Sequence, residues 1–160
     1  MDDDANKAHS PLRIPVPWLF VIAYMAGIVV QFVLPVSIGS SVWVAIAQSL
    51  GVVMLTVGAI LAVWAQWIFR KVHTTTVPYE TPTRLVDWGP YRFTRNPMYL
   101  GLFLFFGGIS VGFPFVWSIP LLVAVLIYVN AAVVPVEEGH LRENFSEAYH
   151  LYCHKVRRWV

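Results

Sequence analysis

A polar stretch that ends at Pro97 carries residue types suited to binding a charged small molecule. It holds Arg92, Arg95 and Asn96, and it follows a Gly-Pro pair that predicts a turn. Pro97 predicts the first turn of a helix, and the positive end of a helix is a natural place to hold an anionic group. We therefore predict an anion-binding loop, although a basic loop at a membrane surface has the same composition.

A second group is the carboxylate pair Glu137 and Glu138, which follows a long apolar run. Carboxylates accept hydrogen bonds from a ribose diol or an ammonium group, and they pair with arginine in a bidentate manner. Two adjacent glutamates can also simply mark the water boundary of a membrane span. Because carboxylates next to a membrane interior are costly, we take a functional role as the working hypothesis.

A metal site is the rival interpretation of the tail. His150 and His154 lie one helical turn apart, with His140 and Glu147 nearby. That spacing fixes no third ligand, and both histidines suit a solvated helix face. The sole cysteine, Cys153, forms no thiolate cluster by itself. We predict no metal.

The elements that must position these residues are membrane spans. Hydrophobic residues make up 58% of the chain and charged residues 12%, against roughly 45–50% and about 25% in a soluble domain. Four apolar runs approach or exceed the ~20 residues that cross a bilayer. They cover residues 18–34, 42–69, 97–111 and 115–136, and a turn at residues 112–114 joins the last two into a hairpin. The prediction is an all-α integral membrane protein with four transmembrane helices, forming a single domain over residues 1–160.

Basic residues set the predicted orientation. All eleven lysines and arginines lie in the N-terminus, the loop of residues 70–96 or the tail. Since such residues are retained on the cytoplasmic side, both termini and the loop are expected in the cytoplasm, with the spans in the inner or cytoplasmic membrane. The formal net charge of +2 is small and scattered, which excludes a nucleic-acid partner.

The tail predicts an amphipathic cytosolic helix over residues 138–159. Its apolar residues recur at spacings of three and four, and the resulting face suits lipid or the helical bundle. That face consists of Leu141, Phe145, Tyr149, Tyr152, Val156 and Trp159.

Three separated motifs carry a resemblance to a known family. They are GPYRFTRNPMYLG at residues 89–101, the Glu137-Glu138 pair, and the tail LRENFSEAYHLYCHKVRRW. In this order they resemble the isoprenylcysteine carboxyl methyltransferases and their bacterial relatives over about residues 70 to 159. That family usually has histidine where this chain has Asn96. The stretch from Asn96 to Tyr99 is instead similar to the phosphatidylethanolamine N-methyltransferases.

The resemblance implies an S-adenosylmethionine-dependent methyltransferase, with the cofactor held by the last two spans, the loop of residues 70–96 and the tail. The catalytic residues that it implies are Arg92, Arg95, Asn96 and Glu138. The implied cofactor-binding residues are His73, Tyr91, Arg95, Asn96, Pro97, Tyr99, Gly101, Glu137, Glu138, Leu141, Tyr149, Tyr152 and Arg157. Gly101 would allow helices to approach closely, and tyrosines would face the adenine or the sulfonium charge.

The expected acceptor is lipophilic and enters from the bilayer. A prenylcysteine-type carboxylate is our first hypothesis, and a phospholipid amine is the alternative. A nicotinamide-dependent reductase follows, because sterol reductases resemble this family in their C-terminal halves. A non-enzymatic membrane scaffold is the last alternative, and the oligomeric state is not readable from the spans.

Overall fold

Helices account for the regular structure of the described chain. A computed structural model describes residues 15–36, 39–72 and 85–160. Over these ranges the elements are α1 (Val16–Val33), α2 (Ser41–Val72), a 3-10 turn (Gly89–Arg92), α3 (Pro97–Gly112), α4 (Ser118–Tyr128), a π-helical turn (Val129–Val133) and α5 (Val134–Lys155). The predicted all-helical fold is confirmed for this part of the chain.

Three helices in the described ranges are long and apolar enough to cross a membrane. They are α1, α2 and the helical segment Ser118–Lys155, which α4, the π-helical turn and α5 form together. The predicted third span corresponds to α3, which has 16 residues. A helix of that length rises about 24 Å, less than the ~30 Å of a bilayer core. The structure thus contains three span-length helices and a shorter apolar one, where the sequence predicts four spans.

Glycines bring α2 and α3 into close contact. A Cβ atom added to Gly101 would lie 2.7 Å from the backbone nitrogen of Ala62, and one added to Gly51 would lie 2.6 Å from the carbonyl oxygen of Gly108. Such distances leave no room for a side chain, so the two backbones pack directly on each other. The predicted role of Gly101 in helix approach is confirmed. This packing fixes α3, and with it the loop that precedes Pro97.

The apolar core joins the other helices. Phe20 of α1 is fully buried and belongs to one cluster with Tyr99 of α3, Leu122 of α4 and Val129 of the π-helical turn. Burial of aromatic and branched side chains holds these helices side by side. The first turn of α3, which carries Tyr99, is therefore held against α4 and the π-helical turn.

The last helix runs through the predicted boundary between span and tail. The π-helical turn stands just before Pro135, where a proline removes a backbone donor and disturbs the preceding turn. Because Pro135 occupies the first turn of α5, where its missing N–H matters little, the helix continues past it as far as Ser146. A kink at Ser146, whose φ is 37° and ψ −109°, divides α5 into two helical stretches, the first of which extends the last span. A single tail helix over residues 138–159 is therefore not confirmed.

Candidate active site

Three pieces of the chain meet at one end of the bundle. The residues before α3 lie against the polar part of α5, and residues 156–160 fold back over both. The 3-10 turn Gly89–Arg92 packs on the last turns of α2, where Ile68 and Tyr91 belong to one buried cluster. The loop is thus held from the α2 side and from the α5 side.

Glu138 lies at the centre of this junction. It is only 3% exposed. Its Oε1 is 3.1 Å from Nη1 of Arg95, and its Oε2 is 2.7 Å from Nη2 of Arg158 and 3.2 Å from Nη2 of Arg142. Three guanidinium groups therefore face one buried carboxylate, and the cluster has an excess of positive charge.

Arg95 reaches across the loop to the last helix. Besides Glu138, its Nη1 lies 2.8 Å from Sγ of Cys153 and 3.4 Å from the hydroxyl of Tyr149. Burial acts to lower the pKa of Arg95, but the Glu138 carboxylate and the Tyr149 hydroxyl outweigh it, and the pKa is raised. The buried Nε of Arg95 has no hydrogen-bond partner among the described residues. A donor in that state is suited to a ligand acceptor.

Thr94 and Asn96 hold the segment that follows α5. The Thr94 hydroxyl and the Asn96 side-chain amide both donate to the backbone carbonyl of Arg158, at 2.9 Å and 3.0 Å. The backbone N–H of Arg95 donates to the carbonyl of Arg157 at 3.0 Å. Asn96 is therefore brought into the site, and its amide binds backbone rather than a titratable group.

Glu137 faces a different partner from Glu138. The buried hydroxyl of Tyr99 in α3 donates to Oε1 of Glu137 at 2.5 Å. This charge-assisted hydrogen bond ties α3 to the start of α5. The adjacent carboxylates thus sit in distinct surroundings, one among arginines and the other beside a phenol.

Aromatic side chains line the junction. Tyr91, Tyr149 and Tyr152 are buried, and the Tyr152 hydroxyl donates to the backbone carbonyl of Tyr91 at 2.8 Å. The rings of Phe69 and Tyr91 meet edge to face at 5.3 Å. Burial raises the pKa of the Tyr91 phenol well above its usual range, so this group stays neutral. Leu141 packs against the cluster of Tyr149 and Tyr152. The predicted apolar face of the tail thus contacts protein.

Other predicted residues lie further from this centre. Arg92 and Arg157 are exposed. Pro97 and Gly101 are buried in α3, where Gly101 contacts α2. His73 lies outside the described residues.

Among the described residues no group of three or more His, Cys, Asp or Glu side chains is placed to hold a metal ion. The rings of His150 and His154 do contact each other, with centroids 4.6 Å apart, on exposed residues of α5.

Sequence reasoning missed two arginines of the cluster. Arg142 lies one helical turn after Glu138, a spacing that could have identified it. From the sequence, Arg157 is predicted in the site, whereas its neighbour Arg158 is the residue that binds Glu138. Because the helix ends at Lys155, helical spacing does not predict which of these two side chains turns inward.

A comparison with known protein families gives a match to this region. A family model described as phospholipid methyltransferase matches residues 46–148, which is more than half of the chain. The match runs from α2 through α3 and both glutamates into α5. The chain matches none of the curated proteins and none of the solved structures with which it was compared.

Proposed function

Because the chain belongs to the phospholipid methyltransferase family of integral membrane methyltransferases, we propose that it transfers a methyl group from S-adenosylmethionine to a lipid acceptor. The observation that supports this proposal best is the buried Glu138 with its three guanidinium groups, at the junction of loop, last helix and tail. Buried charges assembled in this way are typical of a ligand site.

The residues present fit the charges of this cofactor. Its carboxylate suits the excess positive charge around Glu138, and the unpartnered Nε of Arg95 adds a donor. Its ammonium group or ribose diol suits the carboxylate of Glu137, which Tyr99 orients. The rings of Tyr91 and Tyr149 supply faces for an adenine or a sulfonium charge.

When bound, S-adenosylmethionine supplies an electrophilic methyl group on a positively charged sulfur. The chain then has to align donor and acceptor and exclude water. Arg95 would bind the anionic end of the cofactor, and the buried tyrosines would keep water out. Further cofactor contacts by Pro97, Gly101, Leu141 and Tyr152 are part of the proposal, as are contacts by His73, Arg92 and Arg157.

The charge balance favours an anionic acceptor. The arginines around Glu138 outnumber the carboxylates that Glu138 and the cofactor would supply together. A prenylcysteine-type carboxylate would meet the remaining positive charge. Its oxygen attacks the methyl group without losing a proton, so O-methylation of such a lipid is the first candidate.

A phospholipid amine is the second candidate, and Glu137 is the observation that favours it. An ammonium group must lose a proton before its nitrogen can attack. Glu137, held by Tyr99, is a carboxylate placed outside the arginine cluster. It would accept that proton in an amine methylation.

The proposed location is the cytoplasmic membrane, with the site facing the cytoplasm. All eleven lysines and arginines lie in the N-terminus, the loop of residues 70–96 or the tail, and such residues are retained on the cytoplasmic side. The cofactor would enter from water, and the lipid would enter sideways between the helices.

Transfer of a labelled methyl group tests the proposal. The purified protein is incubated in lipid nanodiscs with S-adenosylmethionine and either a farnesylcysteine analogue or phosphatidylethanolamine. Label in the first lipid as a base-labile ester supports O-methylation, and base-stable label in the second supports N-methylation. Absence of label in both, with folded protein, contradicts the proposed activity on these two lipid classes.

A further inference from the structure

Residues 156–160 follow α5 and return across the site as a short segment, the strap. Val156 has φ −125° and ψ 129°, so the backbone is extended directly after the helix. Its side chain is buried with Tyr149 and Tyr152. The family match ends at residue 148, so the strap lies outside it.

The first anchor of the strap is its backbone. The carbonyl of Arg157 accepts from the N–H of Arg95, and the carbonyl of Arg158 accepts from Thr94 and Asn96. These bonds fix the loop directly before α3. Thr94 is 2% exposed, so water cannot easily replace the strap as its partner.

The second anchor is the side chain of Arg158. Its Nε donates to Oε1 of Glu138 at 3.1 Å, and its Nη2 donates to Oε2 at 2.7 Å. This bidentate pair fixes the plane of the carboxylate. Arg95 binds the same carboxylate from the loop. Glu138 is thus held between the strap and the loop.

The third anchor lies in the π-helical turn. The indole N–H of Trp159 donates to the side-chain oxygen of Asn130 at 2.9 Å. Trp159 also packs against the apolar cluster that contains Tyr99. The strap therefore connects the polar junction to the apolar interior of the bundle.

We infer that Arg158 is a positioning residue for methyl transfer: through the strap it holds Glu138 and the loop of residues 94–96 in the arrangement that binds the cofactor. This inference rests on the proposed function. Arg158 orients the cluster by two routes, since its guanidinium binds Glu138 and its carbonyl binds Thr94 and Asn96. The substitutions below act on the guanidinium alone.

The test compares Arg158→Ala, Arg158→Lys and the wild type. Lys155→Ala serves as the matched control, because Lys155 is an exposed cation three residues earlier. Affinity for S-adenosylhomocysteine is measured by calorimetry in detergent. Hydrogen exchange of peptides covering residues 92–99 reports on the loop independently of any ligand.

Arg158→Ala is expected to weaken S-adenosylhomocysteine binding about tenfold or more, because it removes two charge-assisted hydrogen bonds. Exchange at residues 92–99 should rise, while the melting temperature changes little. Arg158→Lys should recover part of the affinity, since lysine keeps the charge but loses the planar fork. Lys155→Ala should behave as the wild type.

Wild-type affinity and unchanged exchange in folded Arg158→Ala would overturn the inference. If that variant does not fold, Arg158→Lys decides by itself, since wild-type affinity there would also overturn the inference. If the wild type binds no S-adenosylhomocysteine, the proposed function and the positioning role both fail. In that case, hydrogen exchange at residues 92–99 in Arg158→Ala still shows whether Arg158 holds the loop.

Discussion

Glu138→Gln removes the charge from the carboxylate that three arginines share, with little change in shape. Arg142 is 64% exposed and contributes little to the effect. The Arg95 and Arg158 side chains are 16% and 34% exposed, so their bonds to Glu138 carry most of it. A glutamine keeps one acceptor and turns its amide donors towards a guanidinium group.

The expected loss follows from these contacts. Charge-assisted hydrogen bonds contribute roughly 1.5–3 kcal/mol each, and two that share one carboxylate do not add fully. We therefore expect about 2–4 kcal/mol less transition-state stabilisation, which corresponds to roughly a 30- to 1000-fold lower kcat/KM. Most of this should appear as weaker cofactor binding.

The assay is labelled methyl transfer in nanodiscs, with the cofactor concentration varied. Glu143→Gln is the matched control, because Glu143 is an exposed carboxylate on the same helix. Circular dichroism and size-exclusion chromatography establish that both variants fold. A kcat/KM within threefold of the wild type in folded Glu138→Gln would refute the role given to this carboxylate.

The remaining predictions concern the loop, the second glutamate and the helix packing. Asn96→Ala should weaken S-adenosylhomocysteine binding several-fold in calorimetry, because it removes a hydrogen bond of about 1 kcal/mol to the strap; wild-type affinity would contradict this. Tyr99→Phe should lower kcat/KM about tenfold, since the charge-assisted hydrogen bond that orients Glu137 is lost; an unchanged kcat/KM would show that Tyr99 does not position Glu137 for the reaction. Gly101→Leu should reduce the yield of monodisperse protein, because overpacking costs about 1–3 kcal/mol or more. Gly139→Ala is its control, as a Cβ there meets nothing within 4 Å; equal yields of the two variants would contradict the packing.

The sequence predicts most of the helices because membrane spans depend on local composition. Pro97 opens α3 as expected, and the first two helices, Val16–Val33 and Ser41–Val72, lie where residues 18–34 and 42–69 are predicted to span. The sequence predicts helix beyond Glu138, but as a separate tail helix and not as a direct continuation of the last span. Polar composition marks the end of a span, but it does not end a helix, and nothing after Pro135 breaks the backbone until Ser146.

The part of the candidate site that could be predicted consists of residues that lie both in a recognisable motif and on, or directly before, a predicted helix. Arg95 contacts Glu138, and Asn96 lies beside them on the Arg158 carbonyl. Arg95 and Asn96 directly precede α3 and Glu138 lies on the last helix, so helix positions direct their side chains. Arg158 was not predictable in this way. Its direction depends on where α5 ends and on the hydrogen bonds that the strap carbonyls accept from the loop, which are tertiary interactions without a sequence period.

Calorimetric titration of the purified wild-type protein with S-adenosylhomocysteine and with NADPH tests the central claim most directly. We expect saturable binding of S-adenosylhomocysteine at one site per chain, lost or strongly weakened in Glu138→Gln, and no binding of NADPH. Binding of NADPH alone would contradict the claim and favour a reductase, and binding of neither would leave the scaffold hypothesis.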